Sequence, residues 1–308
     1  MSGVQVVGWG SALPPKVVTN ADLQATLDTS DEWIVERTGI FERRMGGSTV
    51  GLAVEAARAA LDRAGLGPAD IDLAVLCTST PEQTMPASAT VVCEHLGMTC
   101  GSFDVNAACA GFVYGLMAGA SMTAGHVRHT LVVGSDTLSQ ITDPDDRSTA
   151  VIFGDGAGAV VLRSVDGPGD VLAWDAGSDG TAHRLLYADH GGPIVMSGRE
   201  VFRRAVRVTE ASIRSTLDRA GVTPDQVALF VPHQANLRIV EALADRLGLP
   251  MTRTAVVLDR TGNTSAASIP LALDDAARAG RLPPEGLVLL AGFGAGMSWA
   301  SALLRWRG

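Results

Sequence analysis

The segment LDRAGLGPADIDLAVLC (61–77) recurs without a gap as LDRAGVTPDQVALFVPH (217–233). Both copies begin with LDRAG, carry a proline three residues later and share a leucine within an apolar run. In each copy a helix should end at the glycine, a proline-containing turn should follow, and a strand should come next. The repeat therefore predicts a chain built from two similar α/β units.

A second pair of similar segments supports this duplication. GDGAGAVVL (154–162) resembles GFGAGMSWA (292–300), and the two pairs occur in the same order along the chain. Chance similarity of one Ala- and Arg-rich helix is the alternative, and the second match makes it the weaker explanation. We expect two related halves, residues 1–165 and 166–308.

Short apolar runs alternate with longer segments of helical periodicity, which is typical of a layered α/β fold. The predicted strands are 4–10, 72–78, 129–135, 157–163, 226–232, 286–292 and 299–305. The predicted helices are 50–64, 110–124, 201–220 and 237–247. In such folds the reactive side chains gather where strands end.

The composition is that of an acidic globular protein. Of 308 residues, 46% are hydrophobic and 19% charged, and the net charge of −9 argues against binding nucleic acid through a basic surface. Lys16 is the only lysine, so a Schiff-base mechanism has almost no residue to use. We expect no signal peptide and no apolar stretch of the ~18 residues that span a membrane. The sequence predicts a soluble cytoplasmic protein with reduced thiols.

Cys109 is the candidate nucleophile among four cysteines. It lies in FDVNAACAGFVYGLMAGA (103–120), where a strand should lead through small residues into a helix, and the helix N-terminus should favour a thiolate. A buried structural cysteine is the alternative in this local context. Cys77, Cys93 and Cys100 lack such a setting, and without CxxC spacing or paired His ligands we expect no metal site.

His233 and Asn263 are the candidate partners of the thiol. His233 follows an apolar strand in FVPHQANLRI (230–239), and Asn263 opens a small-residue segment in DRTGNTSAASIP (259–270). A lone histidine is more often structural, but three polar residues that each end a strand indicate one shared site. The turns GDGAG and GFGAG fit neither a phosphate loop nor a dinucleotide fingerprint; the second should offer N–H groups to an oxyanion.

Together these residues resemble the ketoacyl-ACP synthase III family over nearly the whole chain. The segments that carry the similarity are TSDEWIVERTGI (29–40), ACAGF (108–112), FGDGAGAVVL (153–162), VPHQANLRI (231–239), GNTSAASIP (262–270) and GFGAGMSWASALLR (292–305). The resemblance implies the thiolase fold, a duplicated five-layer α-β-α-β-α arrangement, as a homodimer. It also implies decarboxylative condensation of an acyl-CoA primer with malonyl-ACP, without a metal or redox cofactor, in fatty acid initiation or polyketide priming.

The resemblance further implies the role of each residue. Cys109 would carry the acyl group, His233 and Asn263 would hold the malonyl thioester carbonyl, and the N–H groups of Cys109 and Ala295 would hold the second oxyanion. The implied CoA contacts are Trp33, Arg37, Arg147 and Asn236. The implied acyl-pocket and tunnel residues are Met85, Leu138, Phe153, Met196, Phe202 and Phe293. From the residues alone the pocket positions are indistinguishable from core, and Trp33 from a buried anchor.

An acidic enzyme that receives an acidic carrier protein needs a local basic patch. Arg203, Arg207 and Arg214 fall on one face of a predicted helix, and Arg204 flanks them. With Arg238 and Arg246 they form the predicted carrier-protein dock. A solvated helix face is the alternative.

Two departures from the family pattern concern substrate access. The segment 183–194 is short, which affects the mouth of the tunnel. Met85 lies where the family places a residue that closes the acyl pocket, often from the partner subunit. An adaptable methionine there would admit a primer longer or bulkier than acetyl.

Other functions remain open at this stage. A family member that transfers an acyl group without condensation would not need Asn263. A non-catalytic carrier-binding homologue would not need the set of Cys109, His233 and Asn263. A hydroxymethylglutaryl-CoA synthase would need an acidic catalytic residue, and no motif assigns one.

Overall fold

The computed structural model describes residues 2–307, and all seven strands and four helices predicted from periodicity are present. The strands are β1 (Ser2–Ala12), β2 (Val17–Thr19), β3 (Glu42–Arg44), β4 (Leu73–Cys77), β5 (Gly101–Val105), β6 (His129–Thr137), β7 (Asp155–Asp166), β8 (Val171–Ser178), β9 (Leu186–Ala188), β10 (Ile194–Met196), β11 (Val227–Pro232), β12 (Glu285–Gly294) and β13 (Ser298–Arg307). The helices are α1 (Asn20–Gln24), α2 (Asp31–Thr38), α3 (Thr49–Ala64), α4 (Ser88–Leu96), α5 (Gly111–His126), α6 (Arg147–Ala150), α7 (Gly198–Ala220), α8 (Leu237–Leu247), α9 (Leu258–Thr261) and α10 (Ser268–Arg278).

Two sheets share one strand order. The first runs β1-β7-β6-β4-β5, and the second, read from its matching edge, runs β8-β13-β12-β11. In each, a parallel pair is followed by antiparallel neighbours. An isolated parallel bridge between Phe230 and Thr254 stands where the second sheet would have its fifth strand. The common order supports a duplication, and the division after residue 165 stays a prediction.

The sheets and helices form five layers. Helices α3 and α4 cover the outer face of the first sheet, α5 and α10 lie between the sheets, and α7 and α8 cover the second sheet. The core between the sheets contains Phe112, Leu116 and Ile269, and each outer pair of layers has an apolar core of its own. This is the helix–sheet–helix–sheet–helix arrangement expected from the resemblance.

The repeated segment folds alike in both places. Helices α3 and α7 each end at a glycine with φ of 65°, Gly65 and Gly221, because a residue with a Cβ is disfavoured in that left-handed cap. A single 3-10 turn that begins at a proline follows each helix, and β4 or β11 comes next. The sequence match thus marks the same supersecondary unit in both halves.

Helix α5 corrects one expectation from the sequence. Together with the turn before it, Ala108–His126 is long and apolar enough to cross a membrane by length and composition. The helix packs between the two sheets, however, and 61% of the most apolar window is buried within the protein. A helix covered on most sides needs an apolar surface on most sides, which explains its composition.

Candidate active site

One cleft of about 570 Å³ receives side chains from both predicted halves of the chain. Cys109, His233 and Asn263 all line it. The other lining residues include Trp33, Arg37, Phe153, Met196, Phe202, Arg203, Asn236, Arg238 and Phe293. Residues that are far apart in the sequence therefore meet where the strands of the two sheets end.

Cys109 and Asn263 lie in matching turns of the two halves. In one turn the N–H of Ala108 donates to Oδ1 of Asn106 (3.2 Å); in the other the N–H of Ser265 donates to Oδ1 of Asn263 (2.9 Å). Ala108 and Ser265 have φ values of +47° and +49°, a region that non-glycine residues rarely adopt. Each turn leads directly into a middle-layer helix, so both halves use the same strained backbone to present a side chain.

The amide of Asn263 is oriented by its own loop. Its main chain pairs with the segment before β7, donating to the carbonyl of Ile152 (2.9 Å) and accepting from the N–H of Gly154 (2.9 Å). Because Oδ1 is bound to Ser265, the amino group is the part of the amide left to face the cleft. Asn263 therefore presents a hydrogen-bond donor.

His233 is held on three sides. Its backbone N–H donates to the carbonyl of Ala291 (2.7 Å), and its ring nitrogen Nδ1 lies 2.6 Å from Oγ of Ser268. The ring of Phe293 packs edge-on against the imidazole, with 5.4 Å between the ring centroids. Burial lowers the pKa of His233 to about 3. The imidazole is therefore neutral at physiological pH.

The burial of His233 should make the protein less stable in acid. Below its usual pKa of 6.5 the unfolded chain binds a proton that the folded chain excludes, so stability present above pH 6.5 is lost as the pH falls towards 3. Between pH 7 and pH 5 the expected loss is about 2 kcal/mol. Urea unfolding of the wild type and His233→Gln at both pH values measures it. Equal losses in the two proteins would contradict the assignment.

The side chain of Cys109 was expected to be a thiolate, but its burial favours the protonated thiol. Burial raises the pKa of Cys109 to about 12, a hydrogen bond with the Ser265 side chain partly offsets this, and the Asp136 carboxylate raises it further. Removal of water outweighs the helix N-terminus, since Cys109 is only 7% exposed and lies in a short 3-10 turn before α5. The resting residue is a thiol, so it must lose its proton during attack on a substrate.

Asp136 is a buried carboxylate that sequence reasoning missed. Oδ1 accepts from the N–H groups of Ser79 (2.7 Å) and Thr80 (3.2 Å), and Oδ2 accepts from the N–H of Ala266 (3.0 Å), three residues beyond Asn263. It thereby ties the first sheet to the Asn263 turn. Burial raises its pKa above the usual value. The sequence feature that could have identified Asp136 is a carboxylate near the end of an apolar strand.

The implied CoA contacts form a cluster at one side of the cleft. The guanidinium carbons of Arg37 and Arg147 each lie 4.9 Å from the ring centre of half-buried Trp33. Trp33 and Arg37 line the cleft, whereas Arg147 lies outside its lining and donates to the carbonyl of Asp28 (2.6 Å). Trp33 is not the fully buried anchor that was the alternative.

Asn236 lines the cleft with its side chain already engaged. Oδ1 accepts from the N–H of Arg238 (2.9 Å) and caps α8, and Nδ2 donates to the carbonyl of Arg37 (2.8 Å). These bonds join the end of α2 to the loop after His233. Asn236 therefore fixes the position of Arg37 relative to α8.

Four of the six implied acyl-pocket residues line the cleft: Phe153, Met196, Phe202 and Phe293. Leu138 does not; it is buried behind Phe153 in a cluster with Ile194. The short segment 183–194 contains β9 and ends at the first residue of β10; these two strands form a hairpin from which Leu186 and Met196 reach the cleft wall. Met85 lies outside the cleft and is 80% exposed.

The implied oxyanion site lies where β12 meets the cysteine. A Cβ added to Gly294 would be 2.6 Å from the backbone nitrogen of Cys109, so only glycine permits this approach. Ala295 follows and begins a short turn before β13. The two N–H groups assigned to the oxyanion are thus on neighbouring backbones.

The arginines of the predicted dock differ in their ion pairs. Glu210 binds both Arg214 (2.9 Å) and Arg246 (2.8 Å). Arg203 pairs with Glu200, and Arg204 with Asp179 (2.8 Å). Within residues 2–307, four exposed arginines in or next to the cleft make no ion pair: Arg37, Arg199 and Arg238, which line it, and Arg207, one turn along α7 from cleft-lining Arg203. The sequence did not single out Arg199. No group of three or more His, Cys, Asp or Glu side chains in this part of the chain could hold a metal ion.

Comparison with known proteins gives one consistent result. The model of the 3-oxoacyl-(acyl-carrier-protein) synthase III family matches residues 103–180, and the model of its C-terminal region matches residues 217–306. A beta-ketoacyl-(acyl-carrier-protein) synthase III from Rhizorhabdus wittichii is 50% identical over 315 residues, covering 98% of each chain.

Solved structures agree with the sequence comparison. The 3-oxoacyl-(acyl-carrier-protein) synthase III of Aquifex aeolicus has a TM-score of 0.96 and 44% identity, covering 99% of this chain and all of its own. The priming beta-ketosynthase of the R1128 polyketide pathway has a TM-score of 0.94 and 39% identity, with 99% and 96% covered. The duplicated five-layer arrangement described above is thus that of thiolase-fold condensing enzymes.

Proposed function

This chain belongs to the 3-oxoacyl-(acyl-carrier-protein) synthase III family, and from that premise we propose that it condenses an acyl-CoA primer with malonyl-ACP. The observation that carries the proposal is the meeting of one thiol, one neutral imidazole and one amide donor in a single cleft. The product is a 3-oxoacyl-ACP. The enzyme is an acyltransferase of the condensing type.

The first step loads the enzyme. Sulfur of Cys109 attacks the thioester carbonyl of acyl-CoA, the bond from that carbonyl to the CoA sulfur breaks, and the thiol proton leaves with CoA. The N–H groups of Cys109 and Ala295 stabilise the oxyanion formed in between. Trp33 and Arg37, with Arg147 and Asn236 behind them, hold the CoA nucleotide.

The second step extends the acyl group. The carbon–carbon bond to the malonyl carboxylate breaks and releases CO₂, while its electron pair becomes an enolate whose oxygen accepts from His233 and Asn263. The enolate carbon then attacks the acyl-Cys109 carbonyl, and the Cys109 thiolate leaves and takes up a proton. Every bond change is a two-electron transfer between the substrates and Cys109, so the chemistry requires no redox cofactor, and N–H donors take the place of a metal at both oxyanions.

Two measurements on the wild type test this function. Intact-protein mass spectrometry after exposure to acetyl-, isobutyryl- and octanoyl-CoA should show one acyl adduct, and malonyl-ACP should then release CO₂ and yield a 3-oxoacyl-ACP. An adduct without CO₂ release would favour simple acyl transfer. No adduct at all would favour a non-catalytic carrier-binding protein.

We also propose a cytoplasmic homodimer. Met85 is an exposed apolar side chain at 80%, and β5 is an edge strand of the first sheet, so both features would gain from a second copy. The four free cysteines suit a reducing compartment. We propose fatty acid initiation as the enzyme's role; polyketide priming uses the same chemistry and differs in the carrier and primer supplied.

Met85 should widen the choice of primer. In a dimer its flexible side chain would close the partner's acyl pocket and adapt to branched or longer chains. Met85→Phe should lower kcat/KM for octanoyl-CoA about tenfold relative to acetyl-CoA. Met251→Phe, at an exposed methionine of the other half, is the control. A sharp acetyl preference in the wild type that Met85→Phe leaves unchanged would remove the basis for this role.

The arginines without an ion pair indicate which part of the predicted carrier-protein dock makes the main contacts. Arg238 lines the cleft and Arg207 lies one turn along α7 from cleft-lining Arg203; neither has a carboxylate partner among residues 2–307, whereas Glu210 neutralises Arg214 and Arg246. An acidic carrier gains most from basic groups that are not already paired. We therefore assign the main contacts to Arg207 and Arg238, with Arg203 nearby and Arg214 and Arg246 in support.

Reversing the charge of Arg207 should weaken the binding of malonyl-ACP and leave the reaction with acyl-CoA unchanged. Arg207→Glu should raise KM for malonyl-ACP about tenfold at low salt, with a smaller effect at high salt, and leave acylation by acyl-CoA unchanged. Arg58→Glu makes the same change of net charge on α3, in the opposite outer layer. If both variants raise KM equally, α7 is not the dock.

A further inference from the structure

We infer that Ser268 is a positioning residue that keeps the proton of His233 on Nε2, the ring nitrogen that faces the cleft. The inference rests on the proposed function and goes beyond it, since it assigns a task to a residue outside the substrate contacts. Ser268 begins α10 and is 1% exposed. It was not singled out from the sequence.

The hydrogen bonds around Ser268 determine the direction of the key bond. Its Oγ lies 2.6 Å from Nδ1 of His233 and 3.3 Å from the backbone nitrogen of Gln234. The backbone N–H of Gln234 can only donate, so Oγ accepts there. The hydroxyl hydrogen of Ser268 then has one acceptor within reach among residues 2–307, which is Nδ1 of His233.

The opposite tautomer leaves a buried donor without a partner. If Nδ1 carried the proton, Oγ would accept two hydrogen bonds, and the hydroxyl hydrogen would be left without an acceptor among residues 2–307 at a site where Ser268 and His233 are 1% and 2% exposed. Buried donors without acceptors are disfavoured, so the arrangement selects an unprotonated Nδ1. A neutral imidazole with a bare Nδ1 has its hydrogen on Nε2.

Neighbouring contacts keep the ring from escaping this arrangement. The side chain of Gln234 donates to the carbonyls of Pro232 (2.7 Å) and Ala255 (3.1 Å) and accepts from the N–H of Val257 (2.9 Å). The loop after β11 is therefore fixed, and Phe293 packs against the ring. Ser268 and His233 cannot easily separate.

The tautomer separates the two half-reactions. An Nε2–H group can donate to the enolate oxygen that forms as CO₂ leaves, as Asn263 does beside it. The same nitrogen cannot accept the thiol proton of Cys109. Ser268 should therefore matter for decarboxylation and not for acylation.

Ser268→Ala tests this separation. We expect the rate of CO₂ release from malonyl-ACP to fall between about 10- and 100-fold, while the rate at which acetyl-CoA labels Cys109 stays within a few-fold of wild type. The matched control is Ser212→Ala, which removes another buried hydroxyl, 2.8 Å from Oγ of Ser301 and far along α7. It should change neither half-reaction.

The wild type alone gives a second, independent test. Two-bond ¹H–¹⁵N spectra of histidine-labelled protein distinguish a ring protonated on Nε2 from one protonated on Nδ1, and His233→Asn identifies the resonance. An Nδ1 proton in the wild type, or unchanged CO₂ release in Ser268→Ala, would overturn the inference. Failure of the proposed function is a different result, because the wild type itself would then release no CO₂.

Discussion

Replacing Cys109 with alanine should abolish condensation and leave decarboxylation in place. Cys109 is the only thiol among the described residues that line the cleft, so formation of the 3-oxoacyl product should fall by at least about 10⁴-fold. His233 and Asn263 still hold the malonyl thioester, so release of CO₂ should persist within about tenfold of wild type. Intact mass after exposure to acyl-CoA and trapped CO₂ report the two steps separately.

Cys77→Ala is the matched control for this variant. Cys77 is another buried thiol, at the end of β4 in the core between the sheets, and it lies outside the cleft lining. The control should keep both the acyl adduct and the product. An adduct that survives in Cys109→Ala and disappears in Cys77→Ala would show that Cys77, and not Cys109, is the nucleophile.

Replacing His233 or Asn263, the two donors to the enolate, should have the opposite effect to Cys109→Ala, because CO₂ release should fall while acylation persists. In His233→Ala and Asn263→Ala the rate of CO₂ release should fall about 10²- to 10³-fold each, because one donor to the developing negative charge is lost. The double variant should lose less than the product of the two, since both groups serve one oxygen. Acylation of Cys109 should continue in all three.

His129 provides the control for loss of a buried imidazole. It is 3% exposed, its Nδ1 lies 2.9 Å from the carbonyl of Asp70, and it is remote from the cleft lining. His129→Ala should reduce stability without changing CO₂ release. If His233→Ala blocks acylation as strongly as decarboxylation, the imidazole acts as the base for the thiol, and the division of roles fails.

The fold was accessible from the sequence because its signals are local and repeated. The repeated segment at 61 and 217 predicted a helix that ends at glycine, a proline-containing turn and a strand, all of which form twice. Short elements such as β2, β3, α6 and α9 gave no periodic signal, because three or four residues do not complete a pattern. The expectation that no apolar stretch reaches membrane length was wrong for Ala108–His126, whose apolar residues pack against other parts of the protein.

The site was accessible only in part. Residue type and a position after a strand singled out Cys109 and His233. Asn263 was expected to end a strand as well, but it follows the short helix α9. Ser268 and Asp136 act through hydrogen bonds to atoms distant in the sequence, which no spacing reveals. The protonation of Cys109 depends on burial in the folded protein, and the pairing of Glu210 with two arginines depends on how α7 meets α8. Such facts follow from three-dimensional packing and not from pattern.

The left-handed backbone at Ala108 and Ser265 has a consequence for efforts to make this enzyme more durable. Each such conformation at a non-glycine residue costs on the order of 1–3 kcal/mol. A screen that rewards heat tolerance alone would favour glycine at either position, because glycine adopts this geometry without steric penalty. The same substitution would make the two turns more flexible, and the protein would tolerate heat better but turn over its substrate more slowly.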